Sequence, residues 1–208
     1  MLKNIIDQSL NKLKEYDPEI IVRGLTENPY LSTEVGAQDI RDKEGCGYYC
    51  WFPGFIELVR PKQIVELGGA MGVGCLAILN SKYKDFKLYS ITLEEGGKEF
   101  CYVDKTKYPN FHPIVGDDLN LESWPKDLDL HTTDIYFIDT IHTRDQLLKE
   151  LNLYKPYFKE GSIVLFDDVM INPSMGETWN DIENILPIKE KFINFQLHWT
   201  GFSGVCIG

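Results

Sequence analysis

The sequence predicts an α/β protein: a doubly wound, mostly parallel seven-stranded sheet with helices on both faces and an antiparallel hairpin at its C-terminal end. Three observations predict it. Short apolar runs alternate with stretches of helical spacing from Ile64 onward. A glycine-rich turn, Gly68-Gly69-Ala70-Met71-Gly72-Val73-Gly74, separates the first such run from the helix after it. Successive runs then end in acids, at Glu66, Asp117, Asp139 and Asp167, as strands sharing one carboxyl edge would.

Taken in order, residues 1 to about 25 carry apolar positions at helical spacing (Leu2, Ile5, Ile6, Leu10, Leu13), broken by Pro18 and Gly24. Thr26 to Gly47 is polar and irregular, so residues 1–47 read as a helical cap or lid and 48–208 as the main structural unit. Trp51 to Val59 reads as a helix ending before Pro61. The aromatic cluster around it either covers a bound ligand or packs on the sheet edge. Strands follow at Ile64–Leu67, Lys87–Glu94, Phe111–Asp118, Asp134–Asp139 and Gly161–Asp168, with a helix over Thr143–Phe158. A short helix is expected over Trp179–Leu186. A hairpin is expected to pair Phe192–Trp199 with Val205–Ile207 across Gly201–Gly204.

The chain has 21 basic and 32 acidic residues, a net charge of −11, which argues against sequence-independent binding to nucleic acid. No apolar run is long enough to span a bilayer, and the first residues lack a signal-peptide core, so a cytoplasmic protein is expected. The five cysteines have no compact zinc spacing and read as free thiols, Cys75 and Cys206 as small core residues.

The turn after Glu66 lets the backbone bend sharply and leaves no side chain between main chain and ligand. It lacks the lysine of a phosphate-binding Walker loop and the Gly-x-Gly-x-x-Gly of a dinucleotide loop. What it contains is Glu66-x-Gly68-x-x-x-Gly72 at a strand end. This resembles the first motif of class I S-adenosylmethionine-dependent methyltransferases, whose fold is Rossmann-like, an α/β/α sandwich. The resemblance implies an S-adenosyl-L-methionine site built from Glu66, Gly68, Gly69 and Gly72. It continues at the end of the second strand, where the family usually has an acid for the ribose hydroxyls. Here Thr92 stands in that place, with Glu94 two residues on. Asp117 and Asp118 complete the cofactor-binding set, with an ordinary helix N-cap as the alternative for each.

Asp139, Asp167 and Asp168 would meet at neighbouring strand ends, and carboxylates so placed need a cation to relieve their repulsion. Mg²⁺ or Ca²⁺ prefers such oxygen ligands. Phe137-Ile138-Asp139-Thr140-Ile141-His142, with the later Phe166-Asp167-Asp168-Val169, is similar to metal-dependent O-methyltransferases, closer to the small-molecule and sugar branch than to the catechol branch. The resemblance implies that Asp139, Asp167 and Asp168 hold a Mg²⁺ ion. His142, read as the only histidine near this set, is either the acceptor of the substrate proton or a helix-start residue, and Asp139 is the other candidate base. Arg144 and the loop from Met170 to Trp179 are expected to shape the acceptor pocket, with Trp179 either stacking on a ring or packing.

The function expected is transfer of a methyl group to a hydroxyl of a small molecule or sugar, with no nucleic-acid or membrane partner. Two alternatives remain at this point: a methyltransferase-like binding protein without turnover, kept open by Thr92, and a nicotinamide-dependent oxidoreductase on the same layered fold.

Overall fold

The computed structural model describes residues 2–16, 47–70, 72–93 and 103–208. The region of the expected cap between residues 17 and 46 lies outside them, as does Glu94. Helix α1 (Leu2–Lys12) and helix α2 (Tyr48–Val59) precede strand β1 (Gln63–Leu67) and helix α3 (Val73–Leu79). Strands β2 (Lys87–Thr92), β3 (Phe111–Val115) and β4 (Ile135–Ile138) follow, then helix α4 (Arg144–Tyr154) and strand β5 (Ile163–Phe166). Helices α5 (Pro173–Asn180) and α6 (Ile182–Ile185) lead to strands β6 (Ile188–Asn194) and β7 (Phe202–Ile207).

The strands form one seven-stranded sheet in the order β3-β2-β1-β4-β5-β7-β6. The first five pair in parallel, and β7 runs antiparallel between β5 and β6. The expected architecture is therefore present, and the order reverses direction between β1 and β4, the place where open α/β sheets form a crevice. Several strands end two or three residues before the acids expected to close them, β2 at Thr92, β3 at Val115 and β5 at Phe166, and the C-terminal part differs further. The hairpin begins at Ile188 and turns over residues 195–201; across a register shift between Ile188 and Glu190, Ile188 and Ile193 pack against one core and Phe192 against the other. Helix α5 begins at Pro173, inside the stretch expected as loop before the helix of Trp179–Leu186: Asn172 caps it by accepting from the Met175 N–H at 3.0 Å, and Pro173 occupies its first position.

Alternation along each central strand splits the core in two. Ile64, Ile135, Phe137, Ile163, Leu165, Phe202 and Cys206 face the layer of α1, α2 and α3. Val65, Leu67, Tyr136, Ile138, Val164, Phe166, Val205 and Ile207 face the layer that includes α4, α5 and α6. Leu2 and Ile6 of α1 are buried in the first of these cores, so α1 belongs to the same packed unit as the sheet. No helix among the described residues is long and apolar enough to cross a membrane.

Candidate active site

Register fixes which residues emerge together. Leu67 lies opposite Ile138, and Ile138 opposite Phe166, so Gly68, Asp139 and Asp167 leave the sheet side by side. The ladder extends one step beyond the strands, with the Asp139 N–H on Leu67 O at 2.9 Å and the Asp167 N–H on Ile138 O at 3.1 Å. The glycine-rich turn is tied to the neighbouring strand, since the N–H groups of Gly68 and Gly69 both donate to Ile91 O, at 3.0 and 3.1 Å. Gly68 has φ +89°, and a Cβ there would run into the main-chain carbonyl of Asp139. That close approach explains why the position is glycine.

A cavity of about 380 Å³ opens beyond these strand ends. Gly68 and Ala70 form one wall, Ile91, Thr92 and Leu93 the next, then Asp117, Asp118 and Leu119, and finally Asp139, Thr140, Ile141 and Gln146. Its size is that of a small-molecule site. Of the cofactor-binding residues expected from sequence, Gly68, Thr92, Asp117 and Asp118 border this space. Glu66 does not: it is 2 % exposed and sits beneath the turn, accepting from the Cys75 thiol at 2.7 Å and from the Ser90 hydroxyl. Burial raises its pKa, and those two bonds only partly offset the effect. Gly69 and Gly72 shape the turn through the Gly72 N–H on Gly69 O at 2.7 Å.

Asp139 also belongs to a second constellation. His142 Nε2 lies 3.0 Å from Asp139 Oδ1, and His142 Nδ1 lies 3.1 Å from Asp168 Oδ2, so one imidazole bridges two carboxylates. The ring reaches this place because His142 adopts φ +47°, a left-handed conformation uncommon for any residue with a Cβ. Asp168, at φ +56°, is turned similarly. Burial, and next the charge of Asp167, push Asp139 up to about 7 despite its bond to His142. Burial disfavours the charged His142 ring, but Asp139 and the charges of Asp168 and Asp167 outweigh that and raise its pKa.

His142 is not the only histidine here. His198 Nδ1 lies 2.7 Å from Asp167 Oδ1 and 3.3 Å from Asp168 Oδ1. The cause is topological: β7 is antiparallel, so the loop entering it arrives at the carboxyl end of β5. The same loop brings the Thr200 hydroxyl onto Asp168 Oδ1. From the opposite direction the Tyr48 hydroxyl, at the start of α2, donates to Asp167 Oδ2 at 2.9 Å. The Tyr48 N–H donates to Leu197 O at 3.0 Å, and its ring stacks on Phe202. Both oxygens of Asp167 are thus held. No periodicity marks His198, Thr200 or Tyr48 for this role; the only sequence signal was their place in the loops that a closing hairpin and a preceding helix bring to this edge.

Among the described residues, two groups offer ligand atoms all within 4.8 Å of one another: Asp139, His142 and Asp167, and Asp167, Asp168 and His198. The three expected aspartates meet, but Asp139 and Asp168 fall in different groups with the His142 ring between them. Carboxylate oxygens suit Mg²⁺ or Ca²⁺, and the imidazole nitrogens extend the fit to Mn²⁺, Fe²⁺ or Zn²⁺. Trp179 is packed in the core with its ring against Phe166, and Arg144 donates to Thr178 at 3.1 Å, tying α4 to α5.

The chain matches the model of a family described as a methyltransferase domain, over residues 65–169. No curated protein matches it. Among solved structures it resembles the S-adenosylhomocysteine-bound methyltransferase PaMTH1 of Podospora anserina, with TM-score 0.67, 15 % identity, and coverage of 97 % of this chain and 94 % of that one. A Staphylococcus aureus protein described as a caffeoyl-CoA O-methyltransferase gives TM-score 0.61 and 16 % identity, covering 77 % of this chain and 83 % of that one. Fibrillarin of Aeropyrum pernix, in complex with natively bound S-adenosylmethionine, gives TM-score 0.54 and 17 % identity, covering 76 % and 72 %.

Proposed function

The chain belongs to the methyltransferase-domain family, and from that premise we propose that it is an S-adenosylmethionine-dependent O-methyltransferase acting on a hydroxyl of a small molecule or sugar, with Asp139, Asp167 and Asp168 holding a divalent cation. One observation carries this: Asp139 belongs both to the wall of the 380 Å³ cavity and to the carboxylate–imidazole cluster, so a donor in the first abuts an acceptor at the second. The net charge of −11 supports a small acceptor over nucleic acid, and a cytoplasmic location goes with it. Residues 48–208 are assigned as the catalytic unit, with α1 packed into its first core, and the remainder of residues 1–47 as the cap.

The donor supplies a methyl group on a sulfonium, already electrophilic, and the protein's work is alignment, proton removal and exclusion of water. A cation, when bound, supplies a Lewis acid that lowers the acceptor hydroxyl's pKa. The bare turn at Gly68 and Ala70 lets the donor lie against main chain, while Thr92 and Asp117 to Leu119 border the far side. Asp139 and His142 take the acceptor proton as a coupled pair rather than as separate residues. Tyr48 and His198 hold Asp167 fixed while this happens.

Isothermal calorimetry with S-adenosylmethionine and S-adenosylhomocysteine tests the proposal directly. Binding of both is expected; folded protein giving no heat with either would refute it. Thr92, in place of the usual acid, favours a binding protein without turnover as the second reading, and methyl transfer from labelled donor into a panel of hydroxyl acceptors separates the two.

A further inference from the structure

Glu150 lies one turn beyond Gln146 on α4 and has no exposure at all. Its Oε1 accepts from Gln146 Nε2 at 2.7 Å, while its Oε2, equally buried, has no hydrogen-bond partner among the described residues. The same Gln146 nitrogen lies 3.4 Å from Asp118 Oδ2, so one amide spans two carboxyl groups. Asp118 is itself buried and borders the cavity together with Gln146 and Thr140. Its main chain is pinned from behind: the Tyr154 hydroxyl donates to Asp118 O at 2.5 Å and accepts from Trp124 Nε1 at 2.8 Å.

A carboxylate with an empty, fully buried oxygen is costly, because the desolvated charge has nothing to replace water. A carboxylic acid in the same place needs an acceptor for its O–H. Asp118 is the acceptor at hand, and two adjacent carboxyl groups cannot both ionise cheaply. Burial, opposed by Thr140 and reinforced by the charge of Asp118, pushes Glu150 up to about 7. Burial raises Asp118 as well. Among the described residues, the other titratable groups facing the pair are Asp117 on the same loop, Tyr154 on α4 and Asp139 across the cavity; Thr140 and Gln146 add neutral dipoles.

We propose that Glu150 is a positioning residue for the donor site: it shares one proton with Asp118 and so holds the Asp118 carboxylate at the cavity wall as an acceptor for N–H groups of the bound ligand, such as the exocyclic amine of a purine. This rests on the donor reading above. Loss of the shared proton sets the two charges against each other and displaces Asp118, so the ligand must recapture that proton to bind.

The test is calorimetric titration with S-adenosylhomocysteine on the wild type, Glu150→Gln and Glu150→Leu. Wild-type affinity is expected to fall about tenfold between about pH 6.5 and about pH 8.5, as the pair's shared proton is lost. Glu150→Gln, which stays neutral and keeps the shape, is expected to bind within about threefold of wild type at the lower pH and to lose the fall. Titration of the ligand's own amino group and of Asp139 on the same wall is common to both proteins, so the difference between the two curves is what reports on Glu150. Glu150→Leu is expected to bind about tenfold more weakly throughout, since Asp118 and Gln146 lose their partner. Should that variant fail to fold, the Gln comparison decides alone. A Glu150→Gln curve that keeps the wild-type fall overturns the positioning role and leaves the donor site standing. Wild-type protein silent at every pH overturns both.

Discussion

Asp139 is held by contacts that make opposite demands on its charge. Burial and Asp167 favour its protonated form, while His142 favours the ionised one, and the balance lies near 7. A base must be deprotonated to work, so in the cation-free protein proton acceptance by the pair is expected to rise with pH through about 7 and level off above. A kcat/KM profile flat across that range would remove Asp139 from the role. Asp139→Asn keeps the shape without the charge and is expected to lower kcat about 10²–10³-fold. Tyr48 acts one contact further out, while His198 both bonds Asp167 and offers a ligand atom of its own. Tyr48→Phe frees Asp167 Oδ2, His198→Ala leaves Oδ1 with the Asp168 N–H alone, and each is expected to weaken divalent-cation affinity about tenfold, read by calorimetry with Mg²⁺ or Mn²⁺. Unchanged affinity in both variants would show that Asp167 needs no clamp.

At the scale of elements, the turn between β1 and α3 makes the closest glycine approach among the described residues, at Gly68. Gly68→Ala adds both a disfavoured positive φ and a collision with the Asp139 carbonyl. The conformational part alone is about 1–2 kcal/mol, and the collision adds to it by pushing β1 from β4. A fall in melting temperature of at least about 4 °C is expected, together with loss of donor binding. A Gly68→Ala protein with wild-type melting and binding would mean that the turn is free to move. This joint was legible in the sequence because its cause is local: glycine spacing, a strand before it and a helix after it. The row of acids at the strand ends was legible for the same reason, since period and register follow from runs of a few residues. What was not legible is whatever crosses the chain. His198 meets Asp167 across 31 residues and Tyr48 meets it across 119; the first contact depends on β7 being antiparallel and the second on α2 starting beside that loop. Glu66 shows the converse: its place in the motif was plain, but that its side chain turns inward to Cys75 and Ser90 is a matter of packing.

For the whole molecule, the charges gathered along one edge of the sheet set how stability depends on pH. Asp139 and Glu150 each carry a folded-state pKa of about 7, above their ordinary values, so between roughly pH 4 and 7 the native state holds protons that the unfolded chain has released. Stability contributed by these groups is therefore complete in acid and lost as pH rises to about 7. His142 is also raised, so its contribution is present below its ordinary value and is lost as pH rises through the higher folded one, extending the decline upward. Glu57 and Asp134 are shifted the other way, and what they contribute is lost only as pH falls through their lowered folded values. Without added cation, the melting temperature is expected to fall as pH is raised from about 5 to about 8. A divalent ion binds the ionised cluster and not the unfolded chain, so millimolar Mg²⁺ or Mn²⁺ is expected to restore several degrees at the upper end and little at the lower, where protons occupy the same oxygens. Thermal melts on a grid of pH and cation concentration separate these contributions. Asp139→Asn is expected to flatten the pH dependence and lose the cation's effect, while Glu150→Gln flattens it and keeps that effect. Melting that rises with pH in the absence of cation would show that the carboxylates at this edge are relieved by some other group.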